Sequence, residues 1–193
     1  MPYIIAVILG CAASLATGGN IGNIFNFKIK KLWILLAAFF IQIASQILCY
    51  NGFKFFTNNS IIIHGLVFFM LFVVYWFNRH YLGIIAVGAG TVLNALVMMA
   101  NGGKMPVELK VIPAEVPAEA VQAISSGLDS KHVLIDEATR FAFLSDIIYL
   151  PSFFGIWMRV VSIGDLIVVM GIGTLVFEAT AGRGIPKAFF SKK

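Results

Sequence analysis

Long runs of apolar residues constrain this chain more than any other feature. Five of them lie at 2–17, 32–50, 60–77, 81–100 and 162–180. A helix needs about 20 apolar residues to cross the hydrocarbon core of a bilayer, so these runs have the length of spans, although the first is short. Only 12% of the 193 residues are charged, too few to cover a water-soluble core. The pattern predicts an all-α, polytopic membrane helical bundle with about five transmembrane helices.

One segment between the last two runs is polar. Residues 101–140 hold six of the nine acidic residues of the chain. Pro117 suits the first turn of a helix and Gly127 its end, so a short helix is expected near 117–126. Because many other residues of this segment are apolar, we interpret it as a structured extramembrane loop and not as a disordered linker.

A weaker apolar run at 141–161 contains Asp146, Pro151 and Arg159. A proline interrupts the hydrogen bonds of a helix, and an interrupted backbone is tolerated inside a bilayer only where protein or water satisfies it. We therefore expect a re-entrant or interfacial segment here. Together with the helices and the loop, it completes a single membrane domain, residues 1–193.

The distribution of basic residues favours one orientation. With five spans and the N-terminus outside, the inner connections and the tail hold eight basic residues: Lys28, Lys30, Lys31, Arg79, Arg183, Lys187, Lys192 and Lys193. The outer segments hold six, spread over much more chain. Cytoplasmic loops are enriched in Lys and Arg, so this arrangement, with the C-terminus inside, is preferred. If 141–161 also spans, a six-span arrangement with both termini inside is the alternative.

Small and polar residues form one stripe on each predicted helix. In and just after the run 81–100, the stripe consists of Gly83, Gly90, Asn94 and Asn101. Polar groups that face lipid would lack partners, so the stripes are expected to face one another. Two interpretations stay open: hydrogen-bonded packing of helices, which is the more common use of such residues, or a polar cavity for a small molecule or headgroup.

Two acids, Asp146 and Asp165, lie within apolar sequence. A charge at the centre of a bilayer costs about 2.5–3.5 kcal/mol or more, so such residues usually have a partner and a purpose. Asp165 has a structural explanation, because it follows Ser162 at the spacing of a helix capping box. Asp146 has no such explanation, and an ion pair with Arg140 or Arg159 is its simplest interpretation.

A membrane enzyme is one alternative that these acids leave open. If Asp146, Asp165 and His132 meet on the outer face, they are candidate catalytic residues for acid–base chemistry. Their spacing matches no metal site, and the sequence holds no nucleotide-binding, metalloprotease or serine-hydrolase motif, so no metal and no cofactor is predicted. No polar segment interleaves basic and aromatic residues, and nucleic acid is not an expected partner.

Three segments, taken together, resemble a known family. They are Asn101-Gly-Gly-Lys-Met-Pro-Val107, Thr139-Arg-Phe-Ala-Phe-Leu-Ser-Asp146 and Ser162-Ile-Gly-Asp165. With most of the remaining chain, they are similar to the small bacterial membrane proteins called domain of unknown function 5317. The resemblance implies a protein of the bacterial cytoplasmic (inner) membrane and no particular activity. The family-like positions are Asn101, Gly102, Met105, Pro106, Asp146, Ser162, Gly164 and Asp165.

These observations lead to one preferred function and two alternatives. The preferred one is an integral membrane protein that binds, or helps to transport, a small molecule or lipid group at the outer side of the bundle. The alternatives are the membrane enzyme and a structural or accessory subunit that binds another membrane protein. The expected binding residues are Asn94, Asn101, Gly102, Met105, Pro106, Arg140, Asp146, Arg159, Ser162, Gly164 and Asp165. The lipid bilayer is the one partner common to all three.

Overall fold

The computed structural model describes residues 2–112, 118–150 and 160–182. The α-helices of this part are α1, Pro2–Ala16; α2, Leu32–Tyr50; α3, Lys54–Asn58; α4, Ser60–Asn78; α5, Leu82–Ala100; α6, Ala118–Ser125; and α7, Ile163–Ala181. The strands are β1, Met105–Val107; β2, His132–Leu134; β3, Ile148–Tyr149; and β4, Val160–Val161. Short 3-10 helices lie at Ile21–Asn26, Leu109–Val111 and Ala142–Leu144.

Four helices, α2, α4, α5 and α7, are long and apolar enough to cross a membrane, and each has 19 residues. Helix α1 is also apolar but has 15 residues. Each of these five helices begins and ends within one residue of its apolar run. Large apolar side chains such as Phe69 and Trp76 are two-thirds exposed, which suits helices that face lipid. The predicted all-α fold class is confirmed.

The five apolar helices pack side by side in the order α1, α7, α5, α4, α2. Small residues set the closest approaches, since a Cβ on Gly10 of α1 would collide with Gly173 of α7. A Cβ on Gly90 of α5 would likewise collide with Gly164 of α7. In α2 the buried residues are the small residues Ala38, Ser45 and Cys49, and α4 is the helix against which α2 packs most. The stripes thus serve at least as packing faces.

The same contacts fix the direction of each helix. Helices α1 and α7 are parallel, because Gly10 lies beside Gly173 and Gly19 beside Ala181. Helix α5 is antiparallel to α7, and α4 and α2 continue the alternation. The end of the layer that holds the start of α1, helix α3 and the chain between α5 and α7 is called the loop-side end. The other end, with residues 17–31, 79–81 and 182, is called the opposite end.

Short elements between α5 and α7 cover the loop-side end. Strand β1 pairs in parallel with β2, with Met105 opposite His132. The other edge of β1 forms a bridge between Val107 and Asp146. Strands β3 and β4 pair antiparallel directly before α7. Asp146 therefore lies in a strand layer and not in a helix.

The predicted loop helix near 117–126 corresponds to α6. The strands and helix α3 have no counterpart among the sequence predictions. The segment predicted as re-entrant or interfacial, 141–161, is described in part. Residues 151–159, and with them Arg159, lie outside the described residues.

Candidate functional site

A polar network centred on Asn94 joins α5 to α7 at the loop-side end. The Asn94 Nδ2 donates to Oδ1 of Asp165 at 2.8 Å, and its Oδ1 accepts from the Ser162 hydroxyl at 2.9 Å. The Ser162 Oγ accepts from the N–H of Asp165 at 2.9 Å, and Asp165 Oδ2 accepts from the N–H of Ser162 at 3.2 Å. This reciprocal pair is the capping box that the sequence predicts. Asn94 extends it into a bridge between two helices.

Gly164 allows this bridge to form. A Cβ at this position would collide with Oδ1 of Asn94 and would lie 2.8 Å from the carbonyl oxygen of Gly90. A larger residue would push α7 away from α5 and break the bond between Asn94 and Asp165. Close packing of α7 against α5 therefore requires glycine at position 164.

Asp146 lies in the strand layer that covers the network. Its N–H donates to the carbonyl of Pro106 at 2.9 Å, and its carbonyl accepts from the N–H of Glu108 at 3.1 Å. Met105 and Pro106 are buried in this layer. The Asp146 side chain is 8% exposed, and its Oδ1 has no hydrogen-bond partner among the described residues. The described chain shows no ion pair between Asp146 and the exposed Arg140.

The surroundings of the Asp146 carboxyl favour its protonated form. Burial, together with the negative charge of Asp165, raises its pKa to about 7, against a smaller opposing effect of Lys131. A buried polar atom without a partner costs about 1–3 kcal/mol. A donor group that reached Oδ1 would remove this cost.

Asn101 and Arg140 form a separate clasp at the end of α5. The Asn101 Nδ2 donates to the carbonyls of Val97 and Arg140 at 2.8 and 2.9 Å, and its Oδ1 accepts from the N–H of Arg140 at 2.9 Å. Gly102 and Gly103 follow with φ of 69° and 84°, a left-handed conformation that turns the chain from α5 into β1. Asn101 and Gly102, two of the family-like positions, thus help to shape the backbone that leads into Met105.

His132 is not adjacent to Asp146 or Asp165, the two acids with which the sequence analysis grouped it. It lies in β2 on one edge of β1, whereas Asp146 pairs with the other edge. The His132 Nδ1 is 3.3 Å from Oδ2 of Asp129, whose Oδ1 accepts from the N–H groups of Lys131 and His132. Although burial opposes ionisation, these hydrogen bonds lower the pKa of Asp129 to about 2. Within the described residues, no group of three His, Cys, Asp or Glu side chains could hold a metal ion.

An apolar groove of about 690 Å³ lies between α1 and α7. Small residues such as Ala13 and Gly173 line it. Its loop-side end includes Leu166, which directly follows Asp165, and Leu150 of the segment that carries Asp146. This end of the groove therefore lies at the same end of the helix layer as Asp146 and Asp165.

The sequence interpretation missed Glu178 near the end of α7. Its side chain is 8% exposed, and its two oxygens accept from the N–H groups of Leu82 and Gly83 at 2.8 and 2.9 Å. Glu178 thus caps the first turn of α5 from a neighbouring helix. A signal for it exists in the sequence, because an acid in the last turn of an apolar helix is unfavourable for that helix and implies a partner elsewhere.

The part of the chain that is similar to known proteins includes every residue of the polar network around Asn94. Residues 26–177 match the model of the Family of unknown function (DUF5317). An uncharacterized protein of Thermotoga maritima is 30% identical over 174 residues, which amount to 88% of this chain and 84% of that protein. No solved structure matches the chain significantly.

Proposed function

Because this chain belongs to the Family of unknown function (DUF5317), its own site has to indicate its activity, and we propose that it is an integral membrane protein that binds an amphiphile. The hydrocarbon part of the ligand lies in the groove between α1 and α7. Its polar head reaches Asp146 at the loop-side end. That end faces the outside of a bacterial inner membrane, and the protein holds the small molecule or lipid group there or helps to transport it.

The unpartnered Oδ1 of Asp146 is the observation that carries this proposal. A buried carboxyl needs a hydrogen-bond donor, and the described residues around it supply none to this oxygen. The backbone of Asp146 is already engaged on both sides by Pro106 and Glu108, so the side chain is not needed to hold the strand layer together. The burial of Oδ1 without a partner among the described residues therefore favours a role in binding.

The groove supports the hydrocarbon part of the proposal. Ligand sites typically have volumes of roughly 300–1,000 Å³ and linings that are mainly apolar with a few polar groups. The groove has about 690 Å³, is partly open to its surroundings and is lined by apolar residues apart from Thr174. Because α1 lies at the edge of the helix layer, a chain can enter from lipid.

The two carboxylates limit which chemical groups the head of the ligand can carry. Asp146 and Asp165 share one region, and a phosphate placed against them would be repelled. An amine or hydroxyl donates a hydrogen bond to Asp146 in either protonation state. We therefore expect an amphiphile whose head carries an amine or hydroxyl group next to the hydrocarbon part.

The test is to identify the lipids and small molecules that stay bound to the purified protein, by native mass spectrometry after membrane extraction. Asp146→Asn should reduce the retained ligand because it replaces one of the two carboxyl oxygens with an N–H₂ group, which cannot accept a hydrogen bond from the head, and removes the negative charge. Ala13→Phe should reduce it because the ring fills the groove. Glu137→Gln, at an exposed loop acid, and Ala12→Phe, on an exposed face outside the groove, are the matched controls.

Loss of one bound species in both Asp146→Asn and Ala13→Phe, with retention in both controls, would support the proposal. Unchanged retention in Asp146→Asn would contradict the role of the carboxyl. A protein that partitions into the soluble fraction of the cell would contradict the membrane location itself.

A further inference from the structure

We infer that the opposite end of the molecule carries a binding site for the headgroup of an anionic phospholipid. Among the described residues, four lysine and arginine side chains lie there, and all are exposed: Lys28, Lys30, Lys31 and Arg79. They are called the basic cluster. The inference rests on the proposed membrane location, but it is independent of the amphiphile site at the loop-side end.

Asn78 ties the two connections of the basic cluster together. Its side chain is fully buried at the end of α4. Its Oδ1 accepts from the N–H of Lys30 and its Nδ2 donates to the carbonyl of Lys30, each at 2.9 Å. Lys31 then adopts a φ of 61°, which residues other than glycine adopt rarely. The backbone that carries the charges is therefore held in one shape, which lowers the entropy cost of binding.

Aromatic rings place the basic cluster at the level of lipid headgroups. The Lys31 ammonium lies 5.4 Å from the centre of the Phe77 ring, and the Arg79 guanidinium lies 4.3 Å from that of Trp76. Trp33 and Trp76 are 66% and 65% exposed. Exposed tryptophans beside the ends of apolar helices are typical of the membrane–water interface. This arrangement favours a lipid phosphate over a soluble anion.

The basic cluster lacks a neutralising carboxylate within the described residues. Glu178 is the acid at this end, and both of its oxygens accept from the backbone of Leu82 and Gly83. A phosphodiester supplies both the missing negative charge and acceptors for ammonium and guanidinium groups. An anionic phospholipid such as phosphatidylglycerol has this chemistry, whereas zwitterionic phosphatidylcholine offers no net charge.

The test is a titration of the full-length protein, in phosphatidylcholine nanodiscs and mixed micelles, with phosphatidylglycerol, and native mass spectrometry reports the bound lipid. Each basic residue near a membrane surface contributes enough for about a fivefold change in affinity. Lys28→Gln with Lys30→Gln is therefore expected to weaken binding by roughly 25-fold. Lys54→Gln with Lys110→Gln removes the same charge from exposed positions at the loop-side end and should leave the affinity unchanged.

An equal loss of affinity in both double variants, or none in the first, would overturn the inference. Inorganic phosphate is titrated in parallel, and binding as tight as that of phosphatidylglycerol would overturn the assignment to a lipid. Failure of the wild-type protein to enter nanodiscs would overturn the membrane location as well. Entry without a preference for phosphatidylglycerol would contradict this inference alone and leave the amphiphile proposal standing.

Discussion

At the scale of single residues, the ionisation of Asp146 makes folding depend on pH. Burial and the charge of Asp165 raise its pKa from 3.8 to about 7. The folded protein holds this proton more tightly than the unfolded chain, so the contribution to stability is full below pH 3.8 and is lost as the pH rises to about 7. The thermal unfolding midpoint in detergent should therefore be higher at about pH 5 than at about pH 8. Asp146→Asn should flatten this difference and Glu137→Gln should retain it; equal slopes in all three proteins would contradict the assignment.

Substitutions at the adjacent residues Gly102 and Gly103 can distinguish the cost of backbone strain from the cost of a steric collision. Gly102 and Gly103 both have positive φ, but a Cβ on Gly102 meets open space, whereas a Cβ on Gly103 would collide with the backbone of Ile61. Gly102→Ala should cost about 1–2 kcal/mol for the left-handed conformation alone. Gly103→Ala should cost distinctly more, because α4 must also move away from the turn. Thermal unfolding of the two variants measures the difference in stability. Equal losses of stability would show that the backbone at Ile61 moves away from the new Cβ at little cost.

At the scale of elements, the sequence predicts what depends on local pattern. The apolar runs predict the helix ends within one residue, and Ser162 with Asp165 predicts the capping box at the start of α7. Strand β1 has three residues, too few to show an alternation, and it forms through pairing with distant Lys131 and Asp146. The hydrogen bond from Asn94 of α5 to Asp165 of α7 likewise depends on which helices become neighbours. Such long-range contacts leave no periodic signal in a single chain.

Helix α5 depends on a cap that another helix supplies. The two oxygens of Glu178 accept from Leu82 and Gly83 in the first turn of α5. Glu178→Gln would keep one oxygen and turn an amide N–H₂ toward a backbone N–H, so it should cost about 1–3 kcal/mol. Glu119→Gln, at an exposed position of α6, removes the same charge and should cost almost nothing. A thermal unfolding midpoint that is equally lowered in both variants would mean that net charge, and not the cap, is responsible.

At the scale of the whole molecule, the two ends of the helix layer differ in charge. Among the described residues, the loop-side end holds seven acids and five lysines or arginines, whereas the opposite end holds Glu178 and the four residues of the basic cluster. Hydropathy and charge along the chain predict this polarity, because each apolar run moves the chain from one end to the other. They do not predict that α1 packs against α7, which creates the groove.

The difference in charge predicts the orientation that the protein should have at its proposed location in the bacterial inner membrane. Basic residues are retained on the cytoplasmic side, so the opposite end should lie inside and the loop-side end outside. In a background with Cys11→Ala and Cys49→Ala, a membrane-impermeant maleimide should label Ser125→Cys, exposed on α6, in intact cells. It should label Lys28→Cys only after the membrane is permeabilised. Labelling of position 28 alone in intact cells is the pattern that six spans with both termini inside would produce. It would place the proposed amphiphile site on the inner side of the membrane.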